Sequence, residues 1–209
     1  YPLSVTAAWS LSVAQIAQRL PEALELLRCC AFFGPEPIPR DVFGMLPEQY
    51  VEGSRLAGLL ADPILLSKAI RELGRFALVR IDSESRTLQV HRLIQALLRA
   101  DLSEEERQSF RHQVHLLLAA AAAPLRTEDN ANWPRYAELL AHLTPADVAE
   151  CQDTRVREFA LNIVRYLYSA GQYQSAVDIV QRLLDRWRGD SGEDDLHVLK
   201  GQRHLGTVL

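Results

Sequence analysis

The sequence lacks both the long apolar runs of a membrane protein and the common catalytic motifs. No window of about 18 residues is both apolar and free of charge, so no membrane-spanning helix is expected. The N-terminus lacks the basic, apolar and small-residue succession of a signal peptide. Walker A, GxGxxG and HExxH motifs are all missing. These absences predict a cytoplasmic segment that is not itself an enzyme and has no membrane partner.

Cysteine and net positive charge are also scarce. The only cysteines are Cys29, Cys30 and Cys151, an odd number without metal-ligand spacing, which indicates reduced, mostly buried thiols. Residues 1–100 carry 11 basic and 10 acidic residues, and residues 101–209 carry 12 and 17. Neither half therefore has the charge excess of a strong polyanion binder.

The most informative stretch, residues 75–99, has the pattern strand, turn, strand, helix. An apolar run over 76–81 predicts the first strand, and the alternation over 87–90 predicts the second. An amphipathic helix over 63–73 comes before them, and Gly74 is expected to end it. A helix followed by a two-stranded hairpin, after several other helices, is the outline of a winged helix-turn-helix domain.

Helical patterns account for most of the remaining chain. A capping box from Ser103 to Glu106 predicts the start of a helix that runs to Ala123. Thr144 and Pro145 give a second start signal. Further helices are expected over 4–18, 21–33, 40–46, 56–60 and 134–143, with a polar connection over 47–54.

The end of the chain contains an internal repetition. The phrase that begins at Ile163 and continues through Gly171, Tyr173 and Ala176 starts again at Leu205, an offset of about 42 residues. A helical hairpin of this kind leaves an apolar face that a neighbouring hairpin covers, so further repeats are expected beyond Leu209. A chain that starts at Tyr1 is expected to be a piece of a longer protein.

Three aromatic side chains of the repeat region are open to two interpretations. Tyr168, Tyr173 and Trp187 are either exposed or part of the repeat core, and their helical spacing favours the core.

Three histidines are candidates for a metal-binding or phosphate-binding role. His112 and His115 are three residues apart, which would suit a metal, but no carboxylate or cysteine cluster accompanies them, and we expect one solvated and one partly buried side chain. No metal site is predicted. His91 lies where the second strand ends and the next helix begins. It either caps that helix or binds a phosphate at its N-terminus.

The residues from Val90 to Gln95 resemble the "Met-His-Asp" signature in the winged-helix domain of NB-ARC (STAND-class) signalling ATPases. Val90 and Arg92 stand where that family has Met and Asp. The opening residues 1–9 and Asn132-Trp133-Pro134 resemble bacterial, especially actinobacterial, members with C-terminal repeats. The phrase around Gly171 resembles the tetratricopeptide repeat in its longer, kinesin-light-chain-like form.

This resemblance implies a regulatory function. His91 would be the sensor of ADP phosphates held by the nucleotide-binding domain of the same chain, with ADP or ATP as the ligand of that domain. The repeats would bind a protein or peptide trigger. The implied domains are a winged helix over 1–101, a helical connector over 102–153 and the start of tetratricopeptide-like repeats over 154–209.

Two other functions stay open. The winged helix could bind DNA as in a transcriptional regulator, because five basic residues lie on the predicted recognition helix or near the wing. They are Lys68, Arg71, Arg75, Arg80 and Arg86. Glu72, Asp82 and Glu84 lie among them and favour a face that is merely solvated. The third possibility is a spacer in a larger assembly.

Overall fold

Helices make up most of the described part of the chain, which also contains one small β-sheet. The structure, a computed structural model, describes residues 2–44 and 56–208, so the predicted connection over 47–54 lies outside the described residues. The mainly helical class predicted from the sequence is confirmed. The chain divides into two compact units, Tyr1–Leu117 and Leu118–Leu209.

The elements of the first unit follow in chain order. They are α1 (Pro2–Arg19), α2 (Pro21–Cys30), β1 (Ile38–Pro39), a 3-10 helix (Arg40–Gly44), α3 (Ala57–Ala61), α4 (Pro63–Arg75), β2 (Arg80–Asp82), β3 (Thr87–Gln89), α5 (Arg92–Ala100) and α6 (Glu104–Ala122), which continues into the second unit.

All regular elements of the second unit are helices among the residues that the structure describes. Its elements are a 3-10 helix (Asn130–Asn132), α7 (Trp133–Leu143), a 3-10 helix (Val148–Glu150), α8 (Thr154–Ser169), α9 (Tyr173–Ser191) and α10 (Leu196–Val208).

The sheet of the first unit has three antiparallel strands in the order β1-β3-β2. Leu88 pairs with Ile38 on one side and with Ile81 on the other. The sequence predicted only the β2–β3 hairpin. Strand β1 was missed because Ile38 lies between two prolines, which usually mark a break in regular structure.

The first strand of the hairpin is shorter than predicted. Residues 76–79 form the turn that ends α4, and Ala77 has a positive φ of 54°. The amide of Leu78 donates to the carbonyl of Leu73, which closes the helix end around the left-handed residue. Gly74 does not stop the helix. It lies inside α4, where a Cβ atom would come within 2.5 Å of Ile81, so glycine permits the close approach of the hairpin.

Helix starts follow local capping chemistry. The Asp62 carboxylate accepts hydrogen bonds from the amides of Ile64 and Leu65 at the start of α4. The predicted capping box of α6 is confirmed, because Ser103 Oγ accepts from the Glu106 amide at 3.2 Å and Glu106 Oε2 accepts from the Ser103 amide at 3.1 Å.

Helix α5 is fixed to the end of α2 by polar side chains. The buried Gln95 amide lies within hydrogen-bonding distance of the carbonyls of Cys30, Phe33 and Gly34, and Arg99 Nη1 donates to the carbonyl of Ala31. The carbonyls at a helix C-terminus lack intrahelical donors, so these contacts satisfy groups that would otherwise be unpaired. They also hold the start of α5 in place.

Aromatic and aliphatic side chains fill both cores. In the first unit Phe32 stacks on Phe110 and Phe33 packs on Phe43. Cys29, Cys30 and Cys151 are free and buried as expected, and burial raises the pKa of each thiol. Among the described helices, none combines the length and the apolar character needed to cross a membrane.

The repetition seen in the sequence has a counterpart in the second unit. Helices α8 and α10 start 42 residues apart, and each is preceded by an aspartate that accepts hydrogen bonds from the first turn. These aspartates are Asp153 and Asp195. Gly201 of α10 faces Leu184 of α9, where a Cβ atom would come within 2.9 Å, so the two helices pack closely.

Two predicted boundaries in this unit were wrong. Thr144 and Pro145 do not start a long helix, because Asp147 adopts a left-handed conformation with φ of 54° and α8 begins only at Thr154. The polar residues 189–195 predict a turn that begins at Gly189, but Gly189 does not open a turn. It lies within α9, which ends at Ser191 before Gly192 takes a positive φ of 85°.

Candidate functional site

The strongest candidate site surrounds His91 in the first unit. The end of β3 brings His91 to the position just before α5, with extended backbone angles of φ −62° and ψ 136°. Its Nδ1 atom accepts a hydrogen bond from the amide of Leu93 at 3.2 Å. The prediction that His91 caps this helix is therefore confirmed. A phosphate contact of the same side chain stays a prediction.

The cap fixes which ring nitrogen is free. Because Nδ1 accepts a hydrogen bond from a backbone amide, the neutral tautomer of the His91 imidazole that fits this contact has its proton on Nε2. The side chain is exposed, so the Nε2–H group can donate to a ligand. The same residue can thus stabilise the helix and bind an anion at once.

An open cavity of about 580 Å³ lies beside this imidazole. Part of its lining is apolar and comes from the buried residues Leu78, Val79 and Val90. The exposed side chains of Arg80 and Arg92 line it together with His91.

No acidic residue lines this cavity among the residues that the structure describes. The two guanidinium groups and the helix N-terminus therefore give the cavity a positive field. An anion with several oxygen atoms, such as a phosphate group, matches this set of donors better than a cation or an apolar ligand does.

The end of α4 and the turn after it also line the cavity, through Gly74 and Ala77, and Pro35 lines it as well. The Gln89 side chain donates to the carbonyl of Pro35 at 2.8 Å, which ties the end of β3 to the segment before β1. The left-handed conformation of Ala77 gave no sequence signal, since alanine seldom adopts it.

The five basic residues considered for DNA are all exposed. Lys68, Arg71 and Arg75 lie on α4, and Arg86 lies in the turn between β2 and β3. Arg75 is 3.7 Å from Glu72, so part of its charge is balanced within the helix. Arg80 is the member of this group that also lines the cavity at His91.

The structure also tests the expected burial of the other histidines and of three aromatic residues. His112 is exposed and His115 is buried, with their rings edge to face at 6.4 Å, as expected for one solvated and one buried histidine. Trp187 is fully buried, which confirms its place in the core. Tyr168 and Tyr173 are 39% and 54% exposed, so their assignment to the core was wrong.

One polar cluster was missed by sequence reasoning. Arg157 is 2% exposed, and its guanidinium donates to Asp195, to Ser191 and to the carbonyl of Cys151. It also lies 5.1 Å from the centre of the Trp187 ring. The partners are up to 38 residues away in the sequence, so no local pattern could indicate them.

Comparison with known proteins finds one family model that is similar to part of the first unit. Residues 14–107 match the model of the family described as Domain of unknown function (DUF7779). The matched residues are less than half of the chain. The matched region includes α2 to α5 and the cavity at His91. No curated protein and no solved structure matches the chain.

Proposed function

We propose that the chain is a non-catalytic regulatory and protein-interaction segment of a STAND-class (NB-ARC) ATPase. In this proposal the first unit senses the nucleotide held by a nucleotide-binding domain, and the second unit binds a protein or peptide partner. The observation that carries the proposal is the cavity at His91, which an N-cap imidazole and two arginines line and which no carboxylate lines among the described residues.

The arrangement of elements supports the finer architecture that this function needs. Helix α4 followed by the β2–β3 hairpin fits a winged helix over 1–101 with β2 and β3 as its wing. The 42-residue offset between α8 and α10 fits tetratricopeptide-like repeats that start at residue 154, after a helical connector over 102–153. A cytoplasmic setting belongs to the same proposal.

A switch requires contacts that differ between its states. In the resting state the ADP phosphates would accept a hydrogen bond from His91 Nε2 and pair with Arg80 and Arg92, which would hold the nucleotide-binding domain against the first unit. Loss of these contacts on exchange for ATP would release that domain. Arg92 extends the positive charge at a position where the resembling family has an acid.

The test compares two substitutions of one residue in the full-length protein. His91→Ala removes both the cap and the phosphate donor, whereas His91→Asn removes the imidazole but keeps a side chain that caps helices well. We expect both variants to lose bound ADP after purification, by about tenfold in affinity, because hydrogen bonds to charged groups are strong. Nucleotide content is measured by ion-exchange chromatography of the released nucleotide.

The asparagine variant separates the two roles of His91. We expect H91N to unfold at nearly the wild-type temperature, while H91A loses about 1 kcal/mol of stability together with the cap. The exposed His112, replaced by alanine, serves as the control that leaves ADP in place. Full ADP retention by H91N would show that His91 is a cap and nothing more.

DNA binding is the second candidate, and the exposure of all five basic residues favours it. Titration with a duplex at two salt concentrations decides between the two functions. Binding that falls steeply with salt and is lost on replacement of Lys68 and Arg71 would assign the first unit to transcription control. Absence of such binding, together with ADP loss in H91N, would support the nucleotide switch.

A further inference from the structure

A polar groove in the second unit provides a separate binding surface. Its volume is about 560 Å³, and it lies between α8 and α10. Helix α8 contributes residues spaced by three or four positions from Glu158 to Ser169, a complete helix face. With a rise of about 1.5 Å per residue, this face is roughly 16 Å long.

Cationic side chains outnumber carboxylates along the groove. Arg165 forms an ion pair with Glu128, and Lys200 forms one with Glu158. Arg203 also lines the groove, and among the residues that the structure describes no carboxylate forms an ion pair with it. The positive charge of Arg203 is therefore available to a ligand.

His204 and Asn162 are half-buried in the same groove. Burial, and then the charges of Arg165 and Arg203, lower the pKa of His204, so the imidazole is neutral at neutral pH. The other charged groups that face it are Glu158, which acts in the opposite direction, and Lys200.

An exposed aromatic pair forms one rim of the groove. Tyr168 lines the groove, and its ring meets the ring of Tyr173 edge to face at 5.6 Å. Exposed tyrosine rings next to a charged groove offer an apolar contact to a bound side chain. Both tyrosines were wrongly predicted from their helical spacing to lie in the core.

We propose that this groove binds an extended acidic segment of a partner protein. One carboxylate of the segment pairs with Arg203 beside His204, and an apolar side chain rests on Tyr168 and Tyr173. A length of roughly 16 Å holds about five residues of extended chain, which a single anion would not fill. The inference rests on the partner-binding role proposed for the second unit and gives that partner its chemistry.

Peptide binding to the 209-residue chain tests the proposal. The probe is a fluorescein-labelled hexapeptide pool with one fixed glutamate and one fixed leucine, compared with a pool in which glutamine replaces the glutamate. We expect anisotropy to show about tenfold tighter binding of the acidic pool, as for a charge-assisted contact. Arg203→Gln should remove this preference.

Arg186 provides the matched control, because it is a half-exposed arginine of α9 that does not line the groove and pairs with Asp190. R186Q should bind the acidic pool as the wild type does. Equal binding of the two pools, or equal effects of R203Q and R186Q, would overturn the proposal. Competition by inorganic phosphate alone at the same concentration as the peptide would also overturn it, since a simple anion site would then suffice.

A readout on the wild-type chain avoids reliance on any variant. A carboxylate next to His204 stabilises the imidazolium, so the saturating acidic pool should raise the pKa of His204 in an NMR titration and binding should strengthen as pH falls. An unchanged pKa of His204 would refute the binding of a carboxylate at Arg203. These outcomes are independent of ADP retention in H91N, so failure of the groove and failure of the nucleotide switch can be told apart.

Discussion

One oxygen atom of Asp195 both caps a helix and pairs with a buried arginine. Its Oδ1 accepts hydrogen bonds from the amides of His197 and Val198 at the start of α10, and it also pairs with the buried Arg157 at 3.2 Å. Burial opposes the charge of this carboxylate, but the two amides and the Arg157 charge together hold its pKa below the ordinary value. Asp153 occupies the equivalent place before α8 and pairs instead with the more exposed Arg155.

These two aspartates give a matched pair of substitutions. Asp153→Ala should cost about 1 kcal/mol, the usual loss for an N-cap. Asp195→Ala should cost about 3 kcal/mol, because it also leaves a buried guanidinium without its carboxylate. Urea unfolding followed by tryptophan fluorescence, with Trp187 as the fully buried reporter, measures both values. Equal losses of stability would mean that the hydrogen bonds from Arg157 to Ser191 and to the Cys151 carbonyl are sufficient without the Asp195 carboxylate.

At the residue scale, local signals were predictable and distant partners were not. The place of His91 between strand and helix followed from the change of periodicity at residues 90–93, and the structure confirms the cap. The capping box at Ser103 was equally local. Arg157 looked like one charge in an amphipathic helix, since its partner Asp195 comes 38 residues later.

Two glycines of the repeat region differ in the backbone that they occupy. Gly171 joins α8 to α9 with a positive φ of 75°, whereas Gly189 lies in the body of α9 with open space around its Cα. A side chain is strained in the first conformation and favoured in the second.

Alanine at these two positions should therefore act in opposite directions. G171A is expected to destabilise the second unit by about 1 kcal/mol, and G189A to stabilise it by up to about 1 kcal/mol. Thermal unfolding followed by far-UV circular dichroism gives both signs. Destabilisation by G189A would argue that the turn predicted from the sequence at this glycine does form in solution.

The elements themselves were predicted better than their ends. Helices α1, α2 and α7 agree with the periodic pattern to within a few residues. The errors fall where backbone conformation, rather than hydrophobic pattern, decides the boundary. Ala77 and Asp147 both adopt left-handed angles without glycine, and each displaces the start of the next element. The groove lined by Arg203 depends on how α8 and α10 pack, which no single helix pattern contains.

Acid should destabilise the chain as a whole. Among the described residues, four carboxylates have lowered pKa values, chiefly because backbone amides or arginines donate to them. They are Asp82, Glu128, Asp153 and Asp195. A lowered pKa in the folded state gives stability that is present above the unfolded value, about 4, and is lost as pH falls below it.

Two histidines should cause a further loss of stability at a pH higher than that at which the carboxylates act. Burial lowers the pKa of His197 and His204 below 6.5, so the unfolded chain binds protons first as pH falls from that value. The unfolding temperature of the second unit should therefore drop between about pH 7.5 and about pH 5.5. The double variant H197Q/H204Q should show a much smaller slope, measured by differential scanning calorimetry. The same slope in wild type and double variant would exclude these imidazoles as its cause.

The three-stranded sheet has a consequence for synthesis on the ribosome. Strand β1 pairs with a partner 50 residues later in the chain, so its edge stays open until β3 has been translated. At 5–20 residues per second this wait lasts roughly 3–10 s. In the second unit, α8 packs on α9 and α9 on α10, each the next helix along the chain, so these helices can pair as they emerge. The nascent first unit therefore passes through a stage with an unpaired strand, whereas in the second unit the partner that arrives late is a side chain, Asp195 for the buried Arg157.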